Sequence, residues 1–264
     1  MFARLFCWIM ASALLVAAPR ALAEDGYDLW LRNAPADAAA AQQIGANARS
    51  IVGEASPTLT IARRELQRGI AGLTGATVPL TATVQQGAIL LQSAAQQDKP
   101  SVPTDGLGAD GYAIRTMTVA GKPVTVIAGA TDVGVLHGAY AWLRLARTGA
   151  ALDRIDMRSA PRIGLRLLNH WDNLDGTVER GYAGQSIWDW WRLPDYKGPR
   201  YTDYARANAS LGINGTVLNN VNAKSDSLTA AYIAKAAALA DLFRPYGIKV
   251  YLSVKWTAPM DLDG

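Results

Sequence analysis

The sequence predicts an α/β protein in two parts: a small α+β domain over residues 24–159, then a parallel sheet with helices over residues 160–264. Two observations carry this prediction. In the first part, apolar residues recur both at helical spacing and in short continuous runs, which is typical of mixed helix and sheet. From Arg162 onward, strand and helix patterns alternate, which is the order of a parallel α/β sheet.

Residues 1–23 have the pattern of an export signal. Arg4 provides a positive start, residues 5–18 form an unbroken apolar run, and residues 21–23 (ALA) offer a cleavage site. A membrane anchor is the alternative, but a spanning helix needs about 20 apolar residues, and the run is shorter. We therefore expect an exported, periplasmic or extracellular protein whose mature chain begins at Glu24. No later stretch is long and apolar enough to span a membrane.

Cysteine content and charge exclude several classes of function. The only cysteine, Cys7, lies in the predicted signal, so the mature chain should lack disulfides, a thiol nucleophile and cysteine metal sites. Loss of Arg4 and Arg20 with the signal leaves 24 basic against 22 acidic residues, a net charge of +2. Because no basic run exceeds Arg63-Arg64, nucleic acid is not an expected partner.

The first domain begins with a predicted helix whose end is marked by Gly75. Its apolar residues recur every three to four positions, at Ala62, Leu66, Ile70 and Leu73. Apolar runs then predict strands at Val78–Val84 and Gly87–Ser93. Residues 112–119 and 124–128 flank a turn at residues 120–123 and predict a hairpin.

A second helix should begin at its cap Thr131 and end before Gly149. Its predicted buried stripe is Val133, Leu136, Tyr140 and Leu143. His137 also lies on this helix, and we interpret it as a packing or solvated residue rather than a chemical one. The first domain shows no catalytic constellation.

The second part alternates three strands with two helices. The strands are predicted at Ile163–Leu168, Gly215–Asn219 and Lys249–Lys255. One helix covers Tyr201–Gly212 with Thr202 as its cap, and the other covers Ser227–Phe243. No glycine-rich phosphate motif follows any strand, which disfavours a nucleotide-binding fold.

Polar and aromatic residues follow each of these three strands. The clusters are Asn169-His170-Trp171-Asp172-Asn173, Asn219-Asn220-Val221-Asn222 and Lys255-Trp256. Amide side chains can bind sugar hydroxyls, and tryptophan offers a flat apolar face to a pyranose ring. We expect Trp171 to contact a ligand, whereas Trp188, Trp190 and Trp191 are interpreted as core or loop packing. A (β/α)8 barrel builds its active site at these carboxyl ends of its strands.

A complete (β/α)8 barrel takes about 250 residues, and only about 100 follow Arg162. The sequence therefore predicts an incomplete (β/α)8 TIM barrel with about its first three β/α units. Three strands alone would leave two unpaired sheet edges and an exposed interior face, so we expect the given chain to be a fragment.

Several long segments resemble family-67 α-glucuronidases, which are glycoside hydrolases. They are EDGYDLWLR (Glu24–Arg32), ATDVGVLHGAYAWLRL (Ala130–Leu145), NHWDNLDGTVERGYAGQSIWDW (Asn169–Trp190), RYTDYARANASLGINGTVLNNVNA (Arg200–Ala223) and FRPYGIKVYLSV (Phe243–Val254). The resemblance covers essentially the whole predicted mature chain. Its segments are long and rich in Trp, Asn and Gly, so chance similarity is a poor explanation.

The resemblance implies an enzyme that removes α-1,2-linked 4-O-methyl-glucuronic acid from glucuronoxylan-derived oligosaccharides, with inversion and without a metal or cofactor. It implies an α+β domain, a (β/α)8 barrel and a helical C-terminal region that could support a homodimer in the full-length protein. By motif, Trp171 lines the uronic-acid pocket and Val221 faces the sugar's methyl group. Asp172 and Asn220 complete the predicted substrate-binding set, Asp172 through hydrogen bonding and loop architecture.

The resemblance places the catalytic acid, the catalytic base and a uronate-binding lysine beyond Gly264, so no catalytic residue is predicted in this chain. Asp172, Asp175, Glu179 and Asp189 lie near the strand ends but match no family carboxylate. Two alternatives remain. The chain could be a non-catalytic exported carbohydrate-binding remnant, or part of another exported glycosidase with a hexosaminidase-like N-terminal domain.

Overall fold

The structure is a computed structural model that describes residues 25–95 and 101–263. The predicted export signal, its Cys7 and the predicted mature start at Glu24 lie outside the described residues. The described residues fall into two units, one that ends at Arg32 and one that begins at Asn33. In the first unit, Leu29–Leu31 form one turn of 3-10 helix. The predicted domain boundary after residue 159 stays a prediction.

A five-stranded mixed sheet forms the first layer of the larger unit. Its strands are β1 (Ser50–Val52), β2 (Ala88–Ser93), β3 (Tyr112–Val119), β4 (Lys122–Gly129) and β5 (Asp156–Ser159). The order is β1-β2-β4-β3-β5; β1, β2 and β4 are parallel, and β3 runs antiparallel to both β4 and β5. Together with the helices described below, this sheet confirms the expected mixture of helix and strand.

The segment Val78–Val84 does not form the strand that its composition predicts. It makes only a single bridge, between Leu80 and Ile51, and the Leu80 side chain is exposed. β1 occupies the sheet edge beside β2 instead. Because β1 has only three residues, no period-two pattern could identify it from the sequence.

The hairpin between β3 and β4 confirms the prediction, with a tighter turn. Val119 pairs with Lys122, so the connection is the two residues Ala120 and Gly121. Both have positive φ, 50° and 74°, the combination that two-residue turns use to match the twist of the strands.

Three helices precede the second sheet: α1 (Ala38–Asn47), α2 (Pro57–Thr74) and α3 (Asp132–Arg147). The cap of α2 is Ser56, whose side chain accepts from the Leu59 amide, and α2 ends at Gly75 as predicted. Thr131 caps α3 through the Gly134 amide, also as predicted. The folded structure keeps these predicted helix ends because the capping residues satisfy backbone groups that have no partner within the helix.

Within α3, His137 is buried, as the packing interpretation expected. Its Nδ1 atom lies 2.9 Å from the Asp110 carbonyl oxygen, and its Nε2 atom is buried without a hydrogen-bond partner in the described residues. Burial lowers the pKa of His137 by more than the Asp110 carbonyl raises it. The folded state therefore favours the neutral ring.

We expect this histidine to make the protein less stable in mild acid. A lowered folded-state pKa gives a contribution that is complete above the unfolded value of about 6.5 and is lost as the pH falls through the folded-state pKa. Urea unfolding between pH 7.5 and pH 5 should show a loss of at most about 1.4 kcal/mol per pH unit from this group. His137→Gln should reduce the pH dependence, and equal slopes in the two proteins would contradict the assignment.

The second sheet has three parallel strands, as predicted, each shorter than its pattern suggests. They are β6 (Leu167–Asn169), β7 (Gly215–Val217) and β8 (Lys249–Tyr251), in the order β6-β7-β8. The prediction of a buried strand from Ile163 is wrong at its start, where the Ile163 side chain is 67% exposed. The described part has a mixed α/β fold, and barrel closure stays a prediction.

Two helices connect these strands: α4 (Pro199–Ser210) and α5 (Ala230–Phe243); a short helix, α6 (Ala258–Asp263), follows β8. The predicted cap Thr202 is wrong because α4 begins earlier, with Gly198 as its N-terminal flanking residue. Pro199 suits the first helical turn because its missing amide hydrogen is not needed there. Gly247, with φ 75°, ends the turn after α5.

A buried ion pair joins α2 to α4. The Arg206 guanidinium donates to both carboxylate oxygens of Glu65, at 2.7 and 3.1 Å, and to Asp203 at 3.0 Å. Burial acts to lower the pKa of Arg206, but the hydrogen bonds and charge of Glu65 outweigh it and raise that pKa. The pair therefore holds the first helical layer against the helix that precedes β7.

A second polar contact lies at the amino ends of β6 and β7. The Asp110 carboxylate accepts from Arg166 at 2.6 Å and from the Asn214 amide at 2.8 Å. Asn214 also donates to the Gly164 carbonyl. Burial raises the pKa of Asp110, but these donors outweigh it, and the net shift is downward. The loop before β3 is thus fixed to the second sheet.

Candidate functional site

The loops after β6 and β7 meet at the carboxyl ends of the strands, where the sequence predicted the site. The Asn220 backbone amide donates to the Asp172 carbonyl at 2.8 Å. This bond joins the two loops that carry Trp171 and Val221. Their side chains are 42% and 43% exposed, respectively, so both offer apolar surface to solvent.

Asp172 points into the protein. Its side chain is buried, the Ser186 hydroxyl donates to Oδ2 at 2.5 Å, and His170 Nδ1 lies 3.6 Å from Oδ1. His170 Nε2 is 2.8 Å from the Tyr204 hydroxyl, which contacts Thr216 at 2.9 Å. The Asp172 carboxylate therefore holds the loop through protein partners, which agrees with an architectural role.

Asn220 is also buried, and its side-chain amide is engaged by protein groups. Its Oδ1 accepts from the Asn222 amide at 2.9 Å, and its Nδ2 donates to Asn173 Oδ1 at 3.3 Å and to the Glu179 carbonyl at 3.4 Å. Direct contact of Asp172 or Asn220 with substrate stays a prediction. Their geometry favours support of the exposed pair over contact with a ligand.

A compact turn follows Asp172 and supports Trp171 from the other side. Asp172 forms a bridge with Val178, and the Glu179 amide donates to the Trp171 carbonyl at 2.8 Å. Glu179 has φ 58°, in the left-handed region that side chains other than glycine rarely adopt. Asn173 Nδ2 donates to the Glu179 carbonyl at 2.7 Å and so stabilises this conformation.

The sequence did not single out Ser186, and it named Glu179 only as a carboxylate near the strand ends without a catalytic role. Ser186 accepts the Trp188 amide and donates to Asp172, so it links two parts of one loop. Both lie within the resembling segment Asn169–Trp190, but the resemblance assigned neither of them a role. A serine and a glutamate in a long loop carry no local signal, since their roles depend on how the loop folds back.

The tryptophans after Trp171 divide into two kinds. Trp188 and Trp190 are buried, which confirms the packing interpretation, and Trp191 is 66% exposed on the loop beside Gly176. The Trp188 indole donates to the Leu218 carbonyl at 3.0 Å. Its ring contacts four others, His170, Tyr201, Tyr204 and Phe243. This aromatic cluster joins the loop after β6 to α4 and α5.

The remaining carboxylates near the strand ends are held by protein partners. Asp175 accepts from the amide and hydroxyl of Thr177, which lowers the Asp175 pKa. Glu179 lies within 3.4 Å of the Tyr182 hydroxyl and 3.8 Å of Arg180. Asp189 accepts from Arg200 at 2.7 Å. These contacts suit structural roles.

The loop after β8 is the third loop at the carboxyl ends of the strands. The Asn219 side chain exchanges two hydrogen bonds with the Ser253 backbone, at 2.9 and 3.0 Å. Lys255 contacts Asp261 at 3.1 Å, and Trp256 is fully open to solvent. Asn219 thus joins the second strand end to the third.

Two further properties concern only the part of the chain that the structure describes. Within residues 25–95 and 101–263, no group of three or more His, Cys, Asp or Glu side chains is arranged to hold a metal ion. None of the helices in those same ranges combines the length and the apolar character needed to cross a membrane.

Comparison with family models gives two adjoining matches. Residues 29–142 match the glycosyl hydrolase family 67 N-terminus, and residues 145–264 match the glycosyl hydrolase family 67 middle domain. The site above lies within the second match.

Curated relatives include the probable alpha-glucuronidase A of Aspergillus oryzae, 32% identical over 266 residues, and the alpha-glucuronidase A of Emericella nidulans, 35% identical over 275 residues. Each alignment covers 97% of this chain but 31% of the relative. The chain therefore spans about a third of their length.

Two solved structures share the fold at low identity. A family GH115 4-O-methyl-alpha-glucuronidase aligns over 77% of this chain and 28% of its own, with a TM-score of 0.52 and 14% identity. A GH138 enzyme targeting pectin rhamnogalacturonan II aligns over 78% of this chain and 24% of its own, with a TM-score of 0.52 and 16% identity. At these identities, the likeness concerns the fold alone.

Proposed function

The chain belongs to glycosyl hydrolase family 67, and from that premise we propose that the whole protein is an exported, inverting α-glucuronidase. Its substrates would be xylo-oligosaccharides that carry α-1,2-linked glucuronic acid or 4-O-methyl-glucuronic acid. The names of the curated relatives support this activity. The export proposal rests on the signal pattern of residues 1–23.

The observation that carries the proposal is the pairing of Trp171 with Val221 at the carboxyl ends of parallel strands. The hydrogen bond from Asn220 to Asp172 joins the loops that bear them, and both side chains remain partly exposed. A tryptophan face can stack on the C–H side of a pyranose, and a small apolar side chain can contact a methyl group. We propose that β6, β7 and β8 are the first three strands of a (β/α)8 barrel, whose active site lies at this end.

In this mechanism, the described residues bind and orient the sugar and do not transfer the proton. Inversion needs two carboxyl groups about 6.5–9.5 Å apart, with space for a water between them. The carboxylates beside Trp171 accept hydrogen bonds from hydroxyl, amide or guanidinium groups of the protein. We therefore assign the general acid and base to other parts of the whole protein, and the uronic-acid wall to Trp171 and Val221.

The test of the proposed function is release of 4-O-methyl-glucuronic acid from aldotriouronic acid by the purified whole protein. The initial product should have the inverted, β configuration when proton NMR follows the reaction. A protein that binds the oligosaccharide but releases no uronic acid would favour the carbohydrate-binding alternative. Release of N-acetylhexosamine from a hexosaminide substrate assayed in parallel, without release of uronic acid, would favour the other glycosidase.

Trp171→Ala should lower kcat/KM of the whole protein on aldotriouronic acid by about 10-fold to 100-fold, the scale of a lost aromatic contact. The exposed Trp191 supplies a matched control, since Trp191→Ala also removes an exposed indole, but one that follows the buried Trp190 rather than the β6 strand end. The kcat/KM of the Trp191→Ala variant should remain within about twofold of wild type, because surface substitutions usually have mild effects. Equal kinetics for wild type and a folded Trp171→Ala variant would show that Trp171 only packs.

A further inference from the structure

Asn220 is hydrogen-bonded to the neighbours of both exposed residues. Its backbone amide donates to the carbonyl of Asp172, the residue that follows Trp171. Its side-chain Oδ1 accepts from the amide of Asn222, the residue that follows Val221. One buried residue therefore fixes the backbone beside Trp171 and on both sides of Val221.

The other end of the Asn220 amide supports the turn that holds Trp171. Asn220 Nδ2 donates to the carbonyl of Glu179, and the Glu179 amide donates to the carbonyl of Trp171. Glu179 keeps a positive φ of 58° in this turn. A non-glycine residue in that conformation needs surrounding contacts to hold it, and Asn220 supplies one of them.

We propose that Asn220 is a positioning residue that sets the orientation of Trp171 relative to Val221 and thus the shape of the sugar-binding surface. The inference rests on the proposed function and extends it from the surface to the group behind it. Asn220 acts through Trp171 because its side chain is buried and both ends of its amide are bonded to protein. The ligand is the pyranose ring of a uronic acid, which stacks productively only on a correctly placed indole.

A double-mutant cycle in the whole protein separates positioning from general loss of stability. Asn220→Ala should lower kcat/KM on aldotriouronic acid by about 10-fold, because small displacements of a binding group reduce turnover strongly. In a Trp171→Ala background, the same change should have less than about a threefold effect, since groups in one hydrogen-bond network couple while independent sites add. Equal effects of Asn220→Ala in both backgrounds would overturn the inference.

Asn214 provides the matched control at the opposite end of β7. Its side-chain amide also donates to protein groups, those of Asp110 and Gly164, which lie away from the Trp171 loop in sequence and on the amino side of β6. In an Asn214→Ala background, Trp171→Ala should lower kcat/KM by the same factor as it does in the wild-type protein. Asn220→Asp, which retains the oxygen that accepts from Asn222, serves if Asn220→Ala fails to fold.

Hydrogen–deuterium exchange tests the positioning without any activity. The Glu179 amide, which donates to Trp171, should exchange faster in Asn220→Ala and Asn220→Asp but not in Asn214→Ala. Unchanged exchange at Glu179 in the Asn220 variants would overturn the inference even in an active protein. A wild-type protein that releases no uronic acid would instead contradict the proposed function, while the exchange result would still decide whether Asn220 holds Trp171.

Discussion

Trp188→Ala should lower the free energy of unfolding by about 3–5 kcal/mol, the cost of removing a large buried aromatic side chain. The Trp188 indole is fully buried and contacts the rings of Tyr201, Tyr204 and Phe243. Alanine would leave a cavity among rings fixed by two helices and a loop, which cannot all move inward. It would also leave the Leu218 carbonyl without the donor that now lies 3.0 Å away.

Urea unfolding, followed by circular dichroism at constant pH, measures this loss. Trp191→Ala is the control, because Trp191 is three positions further along the same loop and 66% exposed. Its effect should stay within about 0.5 kcal/mol, as for most surface changes. A loss below about 1 kcal/mol for Trp188→Ala would show that the loop collapses into the space, and would contradict the rigid aromatic cluster.

Glu65→Gln should destabilise the protein by about 3–5 kcal/mol, because removing one partner of a buried ion pair leaves a charge without compensation. Glu65 and Arg206 are both buried, and the Arg206 guanidinium makes two hydrogen bonds to the Glu65 carboxylate. The remaining partner of Arg206, Asp203, is partly exposed and bonds only one nitrogen. It cannot replace the charge of Glu65 in the interior.

The exposed pair Arg115–Asp156 gives the control, with a similar 2.9 Å contact. Asp156→Asn should cost only about 0–1 kcal/mol because solvent screens that pair. Replacing both buried partners, Glu65→Leu with Arg206→Met, should restore much of the loss, since well-packed apolar pairs often match buried ion pairs. Similar losses for Glu65→Gln and Asp156→Asn would mean that water reaches the α2–α4 interface.

The ion pair also bears on the site, because α4 carries both Arg206 and Tyr204. Tyr204 contacts His170, whose other ring nitrogen lies 3.6 Å from the Asp172 carboxylate. Burial raises the pKa of Tyr204 to about 12, so its hydroxyl stays protonated at neutral pH. A shift of α4 after loss of Glu65 would therefore move the group that supports the strand-end loop.

Local signals determined the elements that the sequence predicted correctly. Ser, Thr, Pro and Gly satisfy or end the backbone of α2 and α3 through bonds within a few residues, so their roles do not depend on the rest of the fold. The order of alternating strands and helices after Arg162 likewise predicted the parallel sheet. The polar clusters after each strand, and the long motif resemblance, identified the region of the site.

Tertiary structure decided which residues of that region face solvent. Asp172 and Asn220 have side chains of the type that can bind sugar hydroxyls, yet both are buried and bonded to protein. The apolar side chains of Trp171 and Val221 remain partly exposed. The apolar start of the predicted first strand is exposed as well, at Ile163. A residue's type shows which bonds it can make, but burial depends on the distant segments that fold against it. The contacts of Ser186 with Asp172 and of Glu179 with Trp171 form only when the loop folds back, so no local sequence pattern identifies them.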